Sequence, residues 1–395
     1  MISFDLLIGV SVAYVVILFF VAFWAERSTD AGRGKWLKSS TIYTLSLSIY
    51  CTAWTFYGAV GFAARSGLEF LTIYLGPTGV LIGWWVILRR MVKIGRAERI
   101  TSVADLISSR FGKSTLLGGI VTVMALVGTT PYIALQLQSV ALSLNVFAGD
   151  RAVSPLTIAL WTAVGLAVFT IIFGTRNLDV NERHSGVVIA IAIEAIVKLI
   201  ALLAVGTFVV WGVADGVADV LNTIDTSPIA QWEVSNGRWM GLTFLSAAAF
   251  LCLPRMFQVL VVENSDESHL SVAGWAFPLY LMLMSLFVIP IAVVGLQVMP
   301  AGSNPDLFVL TIPLAFGQDN LAMLAFLGGF SSATSMVIVA SIAVATMVSN
   351  HFVTPIWLRS SANSATVSGD IRSVVLLSRR ISIAVVLGLG YLYYS

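Results

Sequence analysis

Apolar runs of membrane length recur along the whole chain, separated by short polar stretches. About twenty apolar residues in a helix cross a bilayer. By that measure the pattern predicts ten spans, at 5–25, 41–64, 69–88, 115–146, 155–174, 185–212, 239–263, 273–299, 320–349 and 378–395. Several exceed the minimum, which implies tilt or extension beyond the hydrocarbon. The first run follows Met1-Ile2-Ser3-Phe4-Asp5 without a basic leader or a small-residue cleavage site, so it reads as a retained span. The last apolar run, from Ile381 to Ser395, ends without a polar tail. Fifteen helical residues reach only about 22 Å, so the run reads as a span cut short and the chain as a fragment of a longer protein.

Composition agrees with the pattern. The chain is 58% hydrophobic and 11% charged, with mean hydropathy +0.93, against roughly 25% charged in soluble domains. Seventeen of its 22 Lys and Arg fall in four alternate segments, 26–40, 89–114, 175–184 and 350–380. Only Arg65, Arg151 and Arg238 fall in the intervening loops, and Lys198 and Arg255 lie within spans. The basic side is expected to be cytoplasmic and the N-terminus outside, in a bacterial inner membrane. Thr101-Ser102-Val103-Ala104-Asp105 carries a capping-box pattern and predicts a short cytoplasmic helix over 101–111. Segment 213–238 is acidic and reads as an outside loop.

Several classes drop out. No basic-aromatic patch suits nucleic acid. Cys51 and Cys252 lie in apolar stretches and imply no disulfide framework. No phosphate loop, nucleophile elbow or zinc-spaced cluster occurs, so no organic cofactor and no enzyme activity is expected within these residues. His184 has no dimerisation helix or nucleotide-binding segment beside it to make it a phosphoacceptor. The polar residues inside spans are the informative ones. The run Gly328-Gly329-Phe330-Ser331-Ser332-Ala333-Thr334-Ser335 places four hydroxyls in five residues at membrane depth. It reads either as close helix packing through small residues or as a cation site.

Five further runs carry a resemblance: Tyr50-Cys51-Thr52-Ala53-Trp54-Thr55-Phe56-Tyr57-Gly58, Arg99-Ile100-Thr101-Ser102-Val103-Ala104-Asp105, Thr129-Thr130-Pro131-Tyr132-Ile133-Ala134-Leu135-Gln136, Gly174-Thr175-Arg176-Asn177-Leu178-Asp179 and Leu253-Pro254-Arg255-Met256-Phe257. On these the chain resembles the solute:sodium symporter family, most closely its branch fused to sensor histidine kinases that regulate carbon and nitrogen use. The resemblance implies an all-α, leucine-transporter-type bundle of two inverted repeats with a broken first helix in each. The organisation it implies is a first span and cytoplasmic loop (1–40), a first repeat (41–212), an outside loop (213–238) and a second repeat (239–395) that is incomplete. Spans two and seven are the expected broken helices. Pro254 disfavours straight helix in the latter, and Ser46, Ser48, Thr52 and Thr55 are available to freed backbone groups in the former.

The resemblance also implies a Na+ site made of the Ser48 and Cys51 carbonyls together with Gly328, Ser331 and Ser332. Oxygen donors suit a hard cation, by extension from calcium and magnesium. Glu194 and Lys198 lie near mid-span, where charge is expensive and often functional. Glu194 is placed to attract sodium or carry a proton. Lys198, one turn on, either pairs with it or supplies a fixed charge in place of sodium. Arg255 either meets a substrate carboxylate, or snorkels to water or serves as a gate. Tyr50, Trp54, Tyr132, Gln136 and Phe250 are the remaining candidate substrate contacts. The expected function is sodium-coupled, or sodium-like-site, transport of a small organic solute such as an amino acid or carboxylate. The alternative is a solute-sensing input domain whose histidine kinase lies beyond residue 395 and addresses a response regulator. The solute and membrane lipid are the expected partners.

Overall fold

The structure, a computed structural model, describes residues 4–30, 35–148, 153–175, 184–233, 236–361 and 371–395. Arg33, Arg151, Arg176 and Arg183, and most of the motif that starts at Gly174, lie outside the described residues. What is described is helical throughout. The first span is α1 (Phe4–Asp30). Span two is split into α2 (Ser40–Ser46) and α3 (Ala59–Ser66). Span three is α4 (Thr72–Ile82), which turns into the amphipathic α5 (Leu88–Ala97). The short α6 (Val103–Arg110) follows. It starts where the capping pattern sits: Ser102 Oγ accepts from Asp105 N at 3.1 Å, and Asp105 Oδ2 reaches back to Thr101 N at 3.1 Å.

Three long helices come next: α7 (Thr115–Ala148), α8 (Pro155–Gly174) and α9 (Ser185–Phe208). The acidic loop contains α10 (Val217–Thr226). Span seven is α11 (Asn236–Cys252) and α12 (Pro254–Phe257), bent by 55° between them. Span eight is α13 (His269–Ser285) continued by α14 (Val288–Val298). A turn at Pro305–Leu307 leads into α15 (Phe308–Ala315), then α16 (Asp319–Val348), α17 (Thr354–Ser361) and α18 (Ile371–Tyr394). The last helix begins seven residues earlier than the hydropathy pattern put it. Its first turns carry Ser378, Arg379 and Arg380, which lower the apolar signal without stopping the helix.

Among the described residues, seven helices are individually long and apolar enough to cross a membrane, or eight with the bent pair α11–α12 taken as one. The predicted count of ten is higher because spans two and three are built from shorter pieces. The α16 helix lies at the centre. It packs on α9, α7 and α18, and its residues from Gly328 to Met347 are almost all buried. Gly328 and Gly329 allow the closest approach. A Cβ on Gly328 would sit 2.7 Å from both Phe56 Cζ and Ala201 Cβ, and one on Gly329 would sit 1.9 Å from the Tyr57 hydroxyl. Small residues therefore let the helices approach as expected in a membrane bundle, and here they do so against the segment that leads into α3.

Candidate functional site at two broken spans

Span two loses its helix between Leu47 and Gly58. Leu47–Tyr50 is a tight 3₁₀ turn, Cys51 is extended (φ −78°, ψ 93°), and Trp54–Gly58 is wound wide as a π turn. Regular i to i−4 bonding stops there, so backbone groups need other partners. Side chains serve several of them, and another caps the last turn before the break. Gln136 Oε1 accepts from Ala53 N at 3.0 Å, Thr52 Oγ1 accepts from Trp54 N at 3.3 Å, and Ser46 Oγ donates to Tyr43 O at 2.7 Å. Span seven breaks at Leu253, which is extended (φ −61°, ψ 133°), directly before Pro254. Proline opens the short α12 because its missing N–H costs nothing in a first turn.

The Ser48 and Cys51 carbonyls converge on one cation, and it belongs to the chain. Lys198 Nζ donates to Ser48 O at 2.8 Å and to Cys51 O at 3.1 Å, and Lys198 has no solvent exposure. Glu194, one turn earlier on α9 and 2% exposed, takes a different partner: Thr334 Oγ1 donates to its Oε1 at 3.1 Å. The i, i+4 ion pair expected from spacing is thus replaced by separate tertiary bonds. Carbonyls freed by the broken helix attract the ammonium, while a hydroxyl of α16 meets the carboxylate.

The hydroxyl half of the expected sodium set is also engaged. Ser331 Oγ accepts from the Tyr14 hydroxyl at 3.0 Å and donates to Glu194 O at 3.4 Å, and Ser332 Oγ donates to Gly328 O at 2.9 Å. The donor set implied by the resemblance therefore does not fit a sodium ion as it stands: its carbonyl pair already holds an ammonium. Tyr14 was not among the residues singled out by sequence. The signal for it was the polar pair Ser11 and Tyr14 in an otherwise apolar span.

The second break carries the other candidate group. Arg255 is 3% exposed, its guanidinium lies 4.6 Å from the centre of the Tyr132 ring, and its Nε has no hydrogen-bond partner among the described residues. The snorkelling alternative is corrected: α12 points the side chain into the bundle instead of along it toward water. Tyr50 and Phe250 meet edge to face at 5.5 Å, and Phe250 stacks on Phe277. Tyr50 is fixed by donating to Ile73 O at 2.7 Å. Tyr50, Tyr132, Phe250 and Arg255 therefore come together where the two breaks face each other. Trp54 packs on Phe62 of its own span, and Gln136 is committed to the backbone of the break, its Nε2 lying 3.4 Å from Tyr132 O.

Ion pairs and hydrogen bonds tie the elements around the breaks on both faces. Away from the basic side, Arg65 at the end of α3 meets Asp306 at 3.1 Å. On the basic side, Glu263 accepts from His184 N at 3.0 Å, from Gln258 Nε2 at 3.0 Å, and lies 3.2 Å from His184 Nδ1. That cluster joins the start of α9 to the segment that follows α12. Nearby, Asp105 Oδ1 lies 3.1 Å from His351 Nε2, and Asn350 Nδ2 donates to Thr101 Oγ1 at 3.1 Å, tying α6 to the turn that ends α16. Burial works to raise the Asp105 carboxyl, but His351 and Thr101 outweigh it and hold the group below the ordinary carboxylate range.

Two broken spans facing each other inside an all-α polytopic bundle define a leucine-transporter-type fold. A solved structure with this fold is the substrate-bound, outward-open state of a Na+-coupled sialic acid symporter. It is 15% identical, with a TM-score of 0.73, over 98% of this chain and 81% of that one. A mutant form of the manganese transporter of Eremococcus coleocola matches at a TM-score of 0.51 and 15% identity, over 91% of this chain and 77% of its own. In sequence, the chain is 24% identical over 301 residues to an uncharacterized symporter, YhjB, of Bacillus subtilis (strain 168). That match covers 73% of this chain, and the chain spans 58% of that relative's length. No family model matches.

Proposed function

We propose that the chain is the membrane part of a secondary transporter of the solute:sodium symporter type, working by alternating access on a small organic solute that carries a carboxylate. Residues 41–212 belong to its first inverted repeat and residues 239–395 to its second, and the Lys- and Arg-rich loops face the cytoplasm. The observation that carries the reading is the pairing of the two breaks. One holds a buried ammonium on the Ser48 and Cys51 carbonyls. The other presents a buried guanidinium with no acidic partner among the described residues. An unpaired buried charge is costly, and a planar guanidinium fork is well matched to a carboxylate. Arg255 and Tyr132 bind and orient that carboxylate, with Tyr50 and Phe250 as apolar walls.

Lys198 occupies the place expected for the driving ion. Its ammonium supplies the positive charge that the Ser48 and Cys51 carbonyls need, and it pins α9 to the break in span two. For the solute to pass, the Arg65–Asp306 contact and the His184–Glu263–Gln258 cluster open in turn. The test is uptake of labelled amino acids and simple carboxylates into vesicles carrying the protein, with sodium present or replaced by potassium. Uptake is expected to be the same in both salts and to be lost in Arg255→Met. In Lys198→Met it falls, and what remains responds to sodium. Stimulation of the unmodified protein by sodium would overturn the role given to Lys198, and full uptake by Arg255→Met would overturn the carboxylate anchor.

A further inference from the structure

A cavity of about 600 Å³ lies away from both breaks, between α1, α8, α9 and α16. That volume is in the range of small-molecule sites, roughly 300–1,000 Å³. Its lining is overwhelmingly apolar. Val12 and Val16 of α1 and Trp161 of α8 line it and are exposed apolar side chains of membrane-length helices, so the mouth opens on hydrocarbon. Gly165 lines it too, and a Cβ added there would meet nothing within 4 Å. The space is therefore a true gap in the packing of α8.

One group in this space is out of character. The Glu194 carboxylate lines the cavity although the residue is 2% exposed. Among the described residues its only hydrogen-bond donor is the Thr334 hydroxyl, and that hydroxyl also has Phe330 O at 3.0 Å and Ser331 O at 3.3 Å as acceptors. One proton faces three acceptors, so the carboxyl oxygens have room for further donors. Lys198 spends its hydrogen bonds on Ser48 and Cys51 and acts on Glu194 only through space.

We propose that this cavity binds a cationic amphiphile, a primary ammonium on an alkyl or aryl body, entering from the bilayer with its head on Glu194 and its body against α1 and α8. Charge complementarity selects the head, because a charge-assisted N–H to carboxylate bond is strongest where water is excluded. The hydrocarbon lining selects the body. The occupant is independent of the solute at Arg255.

Trp161 makes the test direct. In bilayer discs of phosphatidylcholine, dodecylammonium brominated on its chain is expected to quench a saturable part of the fluorescence, and that part is absent in Trp161→Phe. Glu194→Gln, which keeps the shape and a contact for Thr334, is expected to bind the ammonium about tenfold more weakly or worse, the loss of a charge-assisted bond, with brominated dodecanol unaffected. Gly165→Leu fills the gap on a helix that tolerates it and is expected to abolish the saturable component for both probes. Unchanged ammonium affinity in Glu194→Gln overturns the proposal. So does equal affinity for the alcohol, which would make the cavity a seat for a lipid tail, and so does saturable quenching that survives Gly165→Leu.

Discussion

Gln136 shows how much a single side chain holds in place. Its carbonyl is the acceptor for Ala53 N, at the point where span two has no helix to offer one. Both residues are buried, Gln136 at 2% exposure. Gln136→Leu keeps the bulk but strands that N–H, which costs about 1–3 kcal/mol. The expected result is a lower unfolding temperature in detergent, restored in part by Gln136→Glu, which keeps the acceptor. Sequence reasoning found Gln136 by its polarity in an apolar span but assigned it to the solute. The polar signal says that a group is needed at membrane depth; it does not say whether backbone or ligand needs it. Lys198 teaches the same lesson. Spacing along α9 pointed to Glu194, because one helix is all that a local rule can see. The carbonyls of Ser48 and Cys51 are about 150 residues away in sequence, and they take the ammonium at the place where span two is broken.

At the scale of elements, glycine decides which helices touch and which leave space. Gly329 on α16 takes the Tyr57 ring, so Gly329→Ala forces the tyrosine or the helix to move. Helix propensity favours alanine by up to about 1 kcal/mol, but overpacking a tight core costs about 1–3 kcal/mol. Gly329→Ala is therefore expected to destabilise. Gly165→Ala meets nothing and is expected to stabilise by roughly the propensity difference. A pair of thermal melts on the two variants reads the opposite signs. The broken spans were legible to different degrees. Pro254 announced the break at Leu253. The break at Cys51 had no proline to mark it, only a cluster of hydroxyls, and its 3₁₀ and π turns leave no periodic trace. The four-helix cavity was not legible at all, since a void depends on how whole helices pack.

At the scale of the molecule, the polytopic membrane class was readable because hydropathy is a property of long segments, insensitive to error at any one residue, whereas the leucine-transporter-type arrangement was implied only by the resemblance. What ties the segments together is polar and sparse. The Asp105 contact with His351 and Thr101 joins α6 to the end of α16. A carboxyl held below its ordinary range in the folded protein contributes stability above the unfolded value, near pH 4, and loses it as pH falls through the folded value. Asp105→Asn is thus expected to lower the unfolding temperature at neutral pH. The gap from the unmodified protein should close as the pH drops below about 4. A gap that stays constant with pH would mean that packing, not charge, makes the contact.

Lys198 has one more implication. An ion drawn from bulk solution occupies its seat by mass action, so it has a dissociation constant, and its occupancy titrates with the salt outside. An ammonium on a four-carbon stem has neither: its local concentration is fixed by covalent bonds, however dilute the medium. The cation seat at the first break is built into the chain by covalent bonds, so its occupancy does not follow the sodium outside.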